Sequence, residues 1–271
     1  MTDPDIDGTR GILHTRTARE NFTLVREAPA EALTPFVDYF WILDWDLRGR
    51  DPHRQQILTH PSVHLTFATD RQARITGIVT GLFTEQIEGV GRVVGVRFRP
   101  GGFRPFLGGP VSSITDRALP VTEVFGLAGR DLDDRVTAAA EPAEAIAAIE
   151  DFLVARAPEP DPALAEVAAA IERITTDPTI LRVGELAALL DIGTRRLQRL
   201  FNDYVGAGPK WVIRRCRMHE AAHLADGGTD IDWAAIAADL GYADQAHFTR
   251  DFTATIGTSP AQYAKCCADG R

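Results

Sequence analysis

The stretch LAALLDIGTRRLQRLFNDYVGAGP at residues 186–209 returns, with changes, as IAADLGYADQAHFTRDFTATIGTSP at residues 236–260. A solenoid needs three or more repeats to bury a continuous core, so two copies indicate a pair of equivalent small units on one body. The corresponding positions, the first three offset by 50 residues and the last four by 51, are Leu186/Ile236, Ala187/Ala237, Leu190/Leu240, Arg199/Arg250, Phe201/Phe252, Gly206/Gly257 and Pro209/Pro260.

Each copy has the pattern of a helix-turn-helix. In the first, apolar residues at helical spacing precede a break at 191–193, and a second helix is predicted over 194–204. In the second, the break lies at 241–242 and the second helix is predicted over 244–256. We therefore predict two helix-turn-helix motifs, over about 183–205 and 232–257.

The outer face of each second helix carries side chains that suit DNA. Arginine can donate two hydrogen bonds to guanine and glutamine can pair with adenine, while threonine and histidine contact base edges or backbone. A solvent-exposed helix surface carries the same residue types, but the recurrence of the same pattern in both copies favours DNA recognition. The first helix offers Arg195, Arg196, Gln198 and Arg199, and the second offers Gln245, His247, Thr249 and Arg250.

The run from Gly241 to Phe252 and the run from Leu197 to Phe201 carry a family resemblance. Together with the glycines and prolines that follow each of them, they make residues 161–265 similar to the DNA-binding domain of AraC-type transcription regulators. The resemblance implies two motifs joined by one long helix, here about 209–225, that enter successive major grooves. It also implies these base-reading residues, of which the alanine can contact only a thymine methyl group: Arg195, Gln198, Arg199, Gln245, Ala246 and Arg250.

The net charge of −9 is unevenly distributed along the chain. Between residues 193 and 219, seven basic residues face only Asp203, which gives this segment a local charge of +6. A basic stripe is the electrostatic signature of a DNA-binding surface, so the first motif is expected to dominate affinity. The predicted contacts to the DNA backbone are Arg196, Lys210, Arg214, Arg215, His247 and Thr249.

Length and composition predict a two-domain α+β protein. Residues 1–140 are expected to form a β-rich domain, 141–160 a helix and a Pro-rich linker, and 161–271 an all-α DNA-binding domain. Strands are predicted over 36–43, 63–68, 74–80 and 92–98, with a hairpin at 89–91, a short helix ending at 107, and helices over 130–139 and 142–156.

The front half resembles the cupin-like sensor domains found ahead of many DNA-binding domains of this type. The resemblance rests on residues 36–41, 63–67 and 94–102, and it implies a small β-barrel or sandwich with trailing helices. Aromatic residues at alternate positions are interpreted as core in preference to a pocket, and the paired arginines as facing outward. The candidates for effector binding are Tyr39, Trp41, Trp45, His60, His64, Arg97 and Arg99.

Two other function classes stay open beside an effector-controlled regulator. A cupin-type metal-dependent enzyme with an appended helical domain is one, and an effector-free DNA-binding protein is the other. No His-x-His with a following Glu and no Gly-x-Ser-x-Gly motif occurs, so no catalytic residue, metal or cofactor is expected.

Few cysteines, a polar N-terminus and the lack of any run of 18 apolar residues predict a cytoplasmic protein outside the membrane. Double-stranded DNA, a small-molecule effector and a second copy of the chain are the expected partners.

Overall fold

The computed structural model describes residues 11–159, 161–226 and 231–269 of the chain. The first part combines strands and helices and the rest is helical, so the predicted α+β class is confirmed. We call 11–159 the sheet domain and the described residues from 161 onward the helical domain.

The strands are β1 Thr23–Glu27, β2 Val37–Asp46, β3 His53–Ile57, β4 His64–Ala68, β5 Arg71–Thr76, β6 Phe83–Ile87, β7 Val90–Phe98 and β8 Ala118–Pro120. The α-helices of the sheet domain are α1 Thr15–Asn21, α2 Arg104–Leu107, α3 Val121–Ala138 and α4 Pro142–Val154. Those of the helical domain are α5 Pro162–Thr176, α6 Val183–Leu189, α7 Thr194–Leu200, α8 Pro209–Asp226, α9 Trp233–Asp239, α10 Gln245–Ile256 and α11 Pro260–Asp269.

Six strands form one antiparallel sheet in the order β1-β2-β7-β4-β5-β8, and β3 pairs with β6 in a separate two-stranded sheet. The larger sheet is open, with β1 and β8 at its edges, so the strands do not close into a barrel. Side chains from both sheets line one cavity, which makes the arrangement closer to the sandwich alternative.

The predicted hairpin at 89–91 is wrong. β6 ends at Ile87 and pairs with β3, whereas β7 begins at Val90 and pairs with β2. The chain therefore crosses from one sheet to the other at this point. Gly91 is required by packing, since a Cβ atom there would lie 2.2 Å from the Trp45 ring. The predicted strand at 74–80 is also shifted, and β5 ends at Thr76.

One face of the large sheet packs against α3 and α4 and forms the main core. Phe40, Val96 and Leu65 lie opposite one another on neighbouring strands and are fully buried. Ile149 and Leu153 of α4 belong to the same cluster, which shows why the helix predicted over 142–156 forms. Its apolar residues recur at helical spacing and cover the sheet.

The helical domain contains both predicted helix-turn-helix motifs, α6–α7 and α9–α10, joined by α8 as expected. Asp161 begins the domain as a helix cap, accepting a hydrogen bond from the Ala163 amide at 2.9 Å. None of the helices in the described ranges is long and apolar enough to cross a lipid bilayer.

Candidate nucleic-acid interface and the cavity of the sheet domain

The first recognition helix is α7, which continues into a π-helical turn at Phe201–Val205. Leu197 and Phe201 are fully buried and fix the helix against its partners. Gly193 precedes the helix and has no side chain to cap it. Arg195, Gln198 and Arg199, the three predicted base readers of this motif, are all exposed.

The second recognition helix is α10, and it is capped. Asp244 accepts a hydrogen bond from the His247 amide at 2.7 Å, which satisfies one of the free donors at the helix start. Phe248 and Phe252 are fully buried at the positions equivalent to Leu197 and Phe201. Gln245, Ala246 and Arg250 are exposed, so the six predicted base readers lie on the surfaces of two equivalent helices.

The basic stripe at 193–219 is weaker at the surface than its charge predicts. Arg215 is only 3% exposed and donates to the main-chain oxygens of Val79, Thr80 and Gly81 in the sheet domain. The prediction that Arg215 contacts the DNA backbone is therefore wrong for this conformation. Arg217 is buried too, and it donates a hydrogen bond to the main-chain oxygen of Asp177 at 2.9 Å.

Two further arginines of the stripe are exposed but form ion pairs. Arg196 pairs with Glu166 of α5, with a shortest distance of 2.6 Å. Arg214 pairs with Asp251 of α10 at 2.5 Å. Arg195, Arg199 and Lys210 are also exposed, and we expect these three to carry most of the positive potential of the first motif.

The two motifs are held in a defined relative position. Asp251 belongs to the second recognition helix and Arg214 to the joining helix, so their ion pair connects the two elements. Gly241 sits in the turn of the second motif with φ at +74°, and a Cβ atom there would lie 2.0 Å from Leu181, which precedes the first motif. Glycine is thus required at position 241 by conformation and by contact.

The sheet domain contacts the first motif through polar groups that the sequence analysis did not single out. Arg104 of α2 binds Asp203 at 2.9 Å, and its guanidinium group lies over the Tyr204 ring. The Thr115 hydroxyl donates to the Gly206 oxygen at 2.6 Å. These partners are about 90 to 100 residues apart in the chain, so no local pattern predicts them.

The joining helix α8 contacts the sheet domain as well. Besides Arg215, the His219 ring stacks on His60, with 3.9 Å between ring centroids. Its Nε2 atom lies 3.2 Å from the Thr59 oxygen. The loops at 58–62 and 77–81 therefore hold the helix that connects the two motifs.

A cavity of about 200 Å³, which we call the sheet cavity, lies between the second face of the large sheet and the β3–β6 pair. Tyr39, Trp41, His60, His64 and Arg97 line it, so five of the seven predicted effector-binding candidates meet there. The preference for a core role of Tyr39 and Trp41 is wrong because both border this space. The outward orientation expected for Arg97 is also wrong, since it is 9% exposed.

The two other candidates lie elsewhere. Trp45 donates from Nε1 to the Glu88 oxygen at 2.9 Å and packs near Ile87. Arg99 is exposed and follows the last residue of β7, where the alternation of the strand no longer holds. Among the residues that the structure describes, no three His, Cys, Asp or Glu side chains form a group able to hold a metal ion.

Two family models match separate parts of the chain. Residues 186–265 match a family described as a helix-turn-helix domain, and residues 25–120 match one described as a domain of unknown function (DUF6597). Residues 186–265 form an AraC-type helix-turn-helix domain. This AraC-type domain includes both recognition helices, the joining helix and most of α11.

Similar proteins include an uncharacterised HTH-type transcriptional regulator of Haemophilus influenzae, 30% identical over 83 residues. The matched region spans 31% of this chain and 28% of that relative.

Solved structures with some likeness include an AraC-type regulator of Chromobacterium violaceum (20% identity, 38% of this chain and 93% of that one, TM-score 0.36). ToxT of Vibrio cholerae O395 is another (12% identity, 91% of this chain and 98% of that one, TM-score 0.38).

Proposed function

We propose that this protein is a transcription regulator that binds double-stranded DNA in a sequence-specific manner. The observation that carries the proposal is the exposure of all six predicted base readers on α7 and α10. A helix of this kind fits the major groove, and a joining helix with fixed contacts sets the spacing between two such helices. The AraC-type domain supports the same conclusion.

The side chains divide into two roles. Arg195, Gln198 and Arg199 on α7, together with Gln245, Ala246 and Arg250 on α10, read base edges. Lys210 and Arg196 on the first motif, and His247 and Thr249 on the second, contact phosphates and position the helices. Arg214 joins them only when its pair with Asp251 opens, and Arg215 stays in the contact with the sheet domain.

The geometry gives a footprint that can be measured. Two recognition helices on one body should enter major grooves one helical turn apart, roughly 34 Å. Selection of bound sequences from a random duplex pool, followed by hydroxyl-radical footprinting, should show two protected patches on one face of the DNA for each monomer. A single protected patch per monomer would contradict the proposal that both recognition helices of one monomer contact DNA.

A matched pair of variants tests sequence reading. Arg199→Ala should lose roughly 1–3 kcal/mol of binding free energy and relax the preference at one base position. Arg173→Ala removes the same charge from an exposed position on α5 outside both motifs, and it should leave the selected sequence unchanged. Equal loss of preference in the two variants would show that α7 does not read bases.

The sheet domain is proposed as the part that controls DNA binding, and no catalytic step is proposed for it. Its cavity is separated from α8 only by loops that contact that helix, as the Thr59, His60 and Val79 contacts indicate. We place the protein in the cytoplasm, where its DNA partner is. A second copy of the chain would double the number of recognition helices, and the mass in solution tests for it.

A further inference from the structure

The short segment between α5 and α6, residues 177–181, is tied to the joining helix by a buried arginine. Arg217 of α8 donates from Nη2 to the main-chain oxygens of Ile174, Asp177 and Ile180, at 3.3, 2.9 and 3.2 Å. Main-chain oxygens are fixed by the path of the backbone, so this one guanidinium group sets the position of the end of α5 and of the segment that follows it.

The same segment is attached to the first motif at its other end. The Glu185 carboxylate of α6 accepts hydrogen bonds from the Leu181 and Arg182 amides, both at 3.0 Å. Ile180 is 2% exposed and belongs to the same buried cluster as Leu197 of the first recognition helix. The position of Leu181 therefore depends on α6, α7 and α8 together.

Leu181 in turn contacts the second motif. A Cβ atom at Gly241 would lie 2.0 Å from Cδ1 of this leucine, so the side chain packs directly on the backbone of the turn. The next residue, Tyr242, links the turn to the second recognition helix, because its ring centroid lies 5.1 Å from that of His247 and 5.4 Å from that of Phe248. A contact at the turn therefore also fixes the orientation of α10.

A polar contact reaches α10 from the joining helix. The Arg214–Asp251 ion pair connects the two helices, with the Asp251 side chain 18% exposed and the Arg214 side chain 53% exposed. Burial, and after it the charge of Asp251, raises the pKa of the Tyr242 hydroxyl, so the phenol keeps its proton beside this carboxylate. An ion pair as exposed as this one contributes little by itself, so its effect depends on acting together with the Leu181 contact.

We propose that these two contacts, Leu181 on Gly241 and Arg214 with Asp251, make the protein select DNA sites by the spacing between their two half-sites. The inference rests on the proposed DNA-binding function. A connection through one helix leaves freedom at both of its ends, where a few terminal residues can act as a hinge. The 177–181 segment supplies a second connection beside α8, and a body connected twice keeps its recognition helices at one separation and one relative rotation.

A change of spacing in the DNA is large for such a body. One base pair inserted between the half-sites moves them about 3.4 Å further apart and rotates one against the other by roughly 35°. Rigidly connected recognition helices cannot follow both changes, so one of them loses its base contacts. Each base contact that is lost should weaken binding by roughly tenfold.

The first test compares two duplexes by fluorescence anisotropy with the full-length protein. One is the duplex selected from the random pool, and the other carries one additional base pair between its half-sites. The wild type should bind the second at least about tenfold more weakly. The double variant Leu181→Ala with Asp251→Asn should reduce this ratio to about threefold or less. A general gain in affinity from the freed Arg214 cancels in the ratio. A wild-type ratio below about threefold, or an unchanged ratio in the folded double variant, would overturn the proposal.

Single variants separate this role from a general effect of charge or stability. Asp251→Asn alone should lower the ratio at least about twofold, whereas Arg214→Lys keeps a cation opposite Asp251 and should keep the wild-type ratio. Glu166→Gln is the matched control, because it also releases an arginine of the first motif, Arg196, but breaks no contact between the motifs. An equal fall of the ratio in Glu166→Gln and Asp251→Asn, at matched melting temperatures, would overturn the assignment.

The second test needs no DNA. Spin labels on p-acetylphenylalanine introduced at Thr194 of α7 and Ala254 of α10, both exposed, report the distance between the recognition helices by pulsed dipolar spectroscopy. The wild type should give one narrow distance distribution, and the double variant a wider one. A wide distribution in the wild type would overturn the proposal even if the protein binds DNA. A narrow distribution in a protein that selects no DNA sequence would refute the proposed function and leave the double connection intact.

Discussion

The two helix-turn-helix motifs share a fold and differ in their surroundings. Gly206 and Gly257 end equivalent recognition helices with the same φ of +88°. A Cβ atom at Gly206 would lie 2.9 Å from Val111 and 3.0 Å from Thr115 of the sheet domain, whereas one at Gly257 would meet no described atom within 4 Å. The first motif is thus docked at its end and the second is open there. The first motif therefore contacts the sheet domain at the end of its recognition helix, a structural role that the second motif lacks at the equivalent position.

The charged residues around the two recognition helices also differ between the motifs. Arg199 and Arg250 are equivalent, but Arg250 is followed by Asp251, which binds Arg214. The first motif keeps Arg195 and Lys210 exposed near its arginine. Affinity for DNA should therefore come mainly from the docked motif, and the open motif should contribute more to selectivity.

The largest expected effect is a difference in stability between substitutions of Gly206 and Gly257, the glycines that end the two recognition helices. Gly206→Ala should destabilise the protein by roughly 2–4 kcal/mol, because left-handed strain is added to a steric clash at the contact with the sheet domain. Gly257→Ala carries the strain alone and should cost about 1 kcal/mol. Urea unfolding of both variants measures the difference. Equal losses would mean that the first motif is not docked through Gly206.

The next effect concerns the equivalent arginines. Arg199→Ala should weaken binding to the selected duplex by roughly 1–3 kcal/mol, and Arg250→Ala by less, since the nearby Asp251 already reduces the positive potential there. Fluorescence anisotropy with one labelled duplex at fixed salt compares them directly. A larger loss from Arg250→Ala would reverse the assignment of the dominant motif.

Loss of a phosphate contact should give a smaller and less specific change. Lys210→Ala should weaken binding to all duplexes alike and flatten the dependence of log K on log salt by about 1. Arg215→Ala removes the same charge from a buried position, so its salt dependence should match the wild type even if its stability falls. A flattened slope for Arg215→Ala would show that the sheet domain releases this residue when DNA binds.

The smallest effect should be a gain. Asp251→Asn frees Arg214 and removes a negative charge from the second recognition helix. Binding to unrelated duplexes should then become about twofold to fivefold tighter, and the salt dependence steeper by about 1. Anisotropy at several salt concentrations checks both. Unchanged non-specific binding would indicate that Arg214 lies too far from the DNA to contact it.

Local patterns predicted the helical domain because its determinants are local. Leu197, Phe201 and their counterparts recur at helical spacing and are buried, so the motifs are visible in the sequence itself. The strand β3 was not predicted because His53–Ile57 is mostly polar and carries no apolar alternation. Its partner β6 is equally polar in its middle. These polar strands form because each supplies the backbone hydrogen bonds of the other, and Ile12 adds a bridge to Ile57 at the end of β3.

The exposure of the six predicted base readers was predictable from helical spacing, and their contact with bases stays a prediction. It was not predictable for Arg215, whose partners are main-chain oxygens about 135 residues away. Arg97 was assigned to the outward face because the alternation of side chains along a strand defines two faces of the sheet but does not show which face is buried. Only the position of the β3–β6 pair decides that its face encloses a cavity.

The contact made by Arg215 bears on how such proteins diversify. It recognises the peptide backbone of the loop at 79–81, and every amino acid supplies the same carbonyl group. The side chains of that loop and of the cavity can therefore change without loss of this joint. A front domain with a different ligand preference would still fit the same arginine, provided that the loop keeps its path. Because the Arg215 contact does not depend on loop side chains, the ligand preference of the sheet domain can evolve without changing it. The DNA sequence preferred by the helical domain can evolve independently as well.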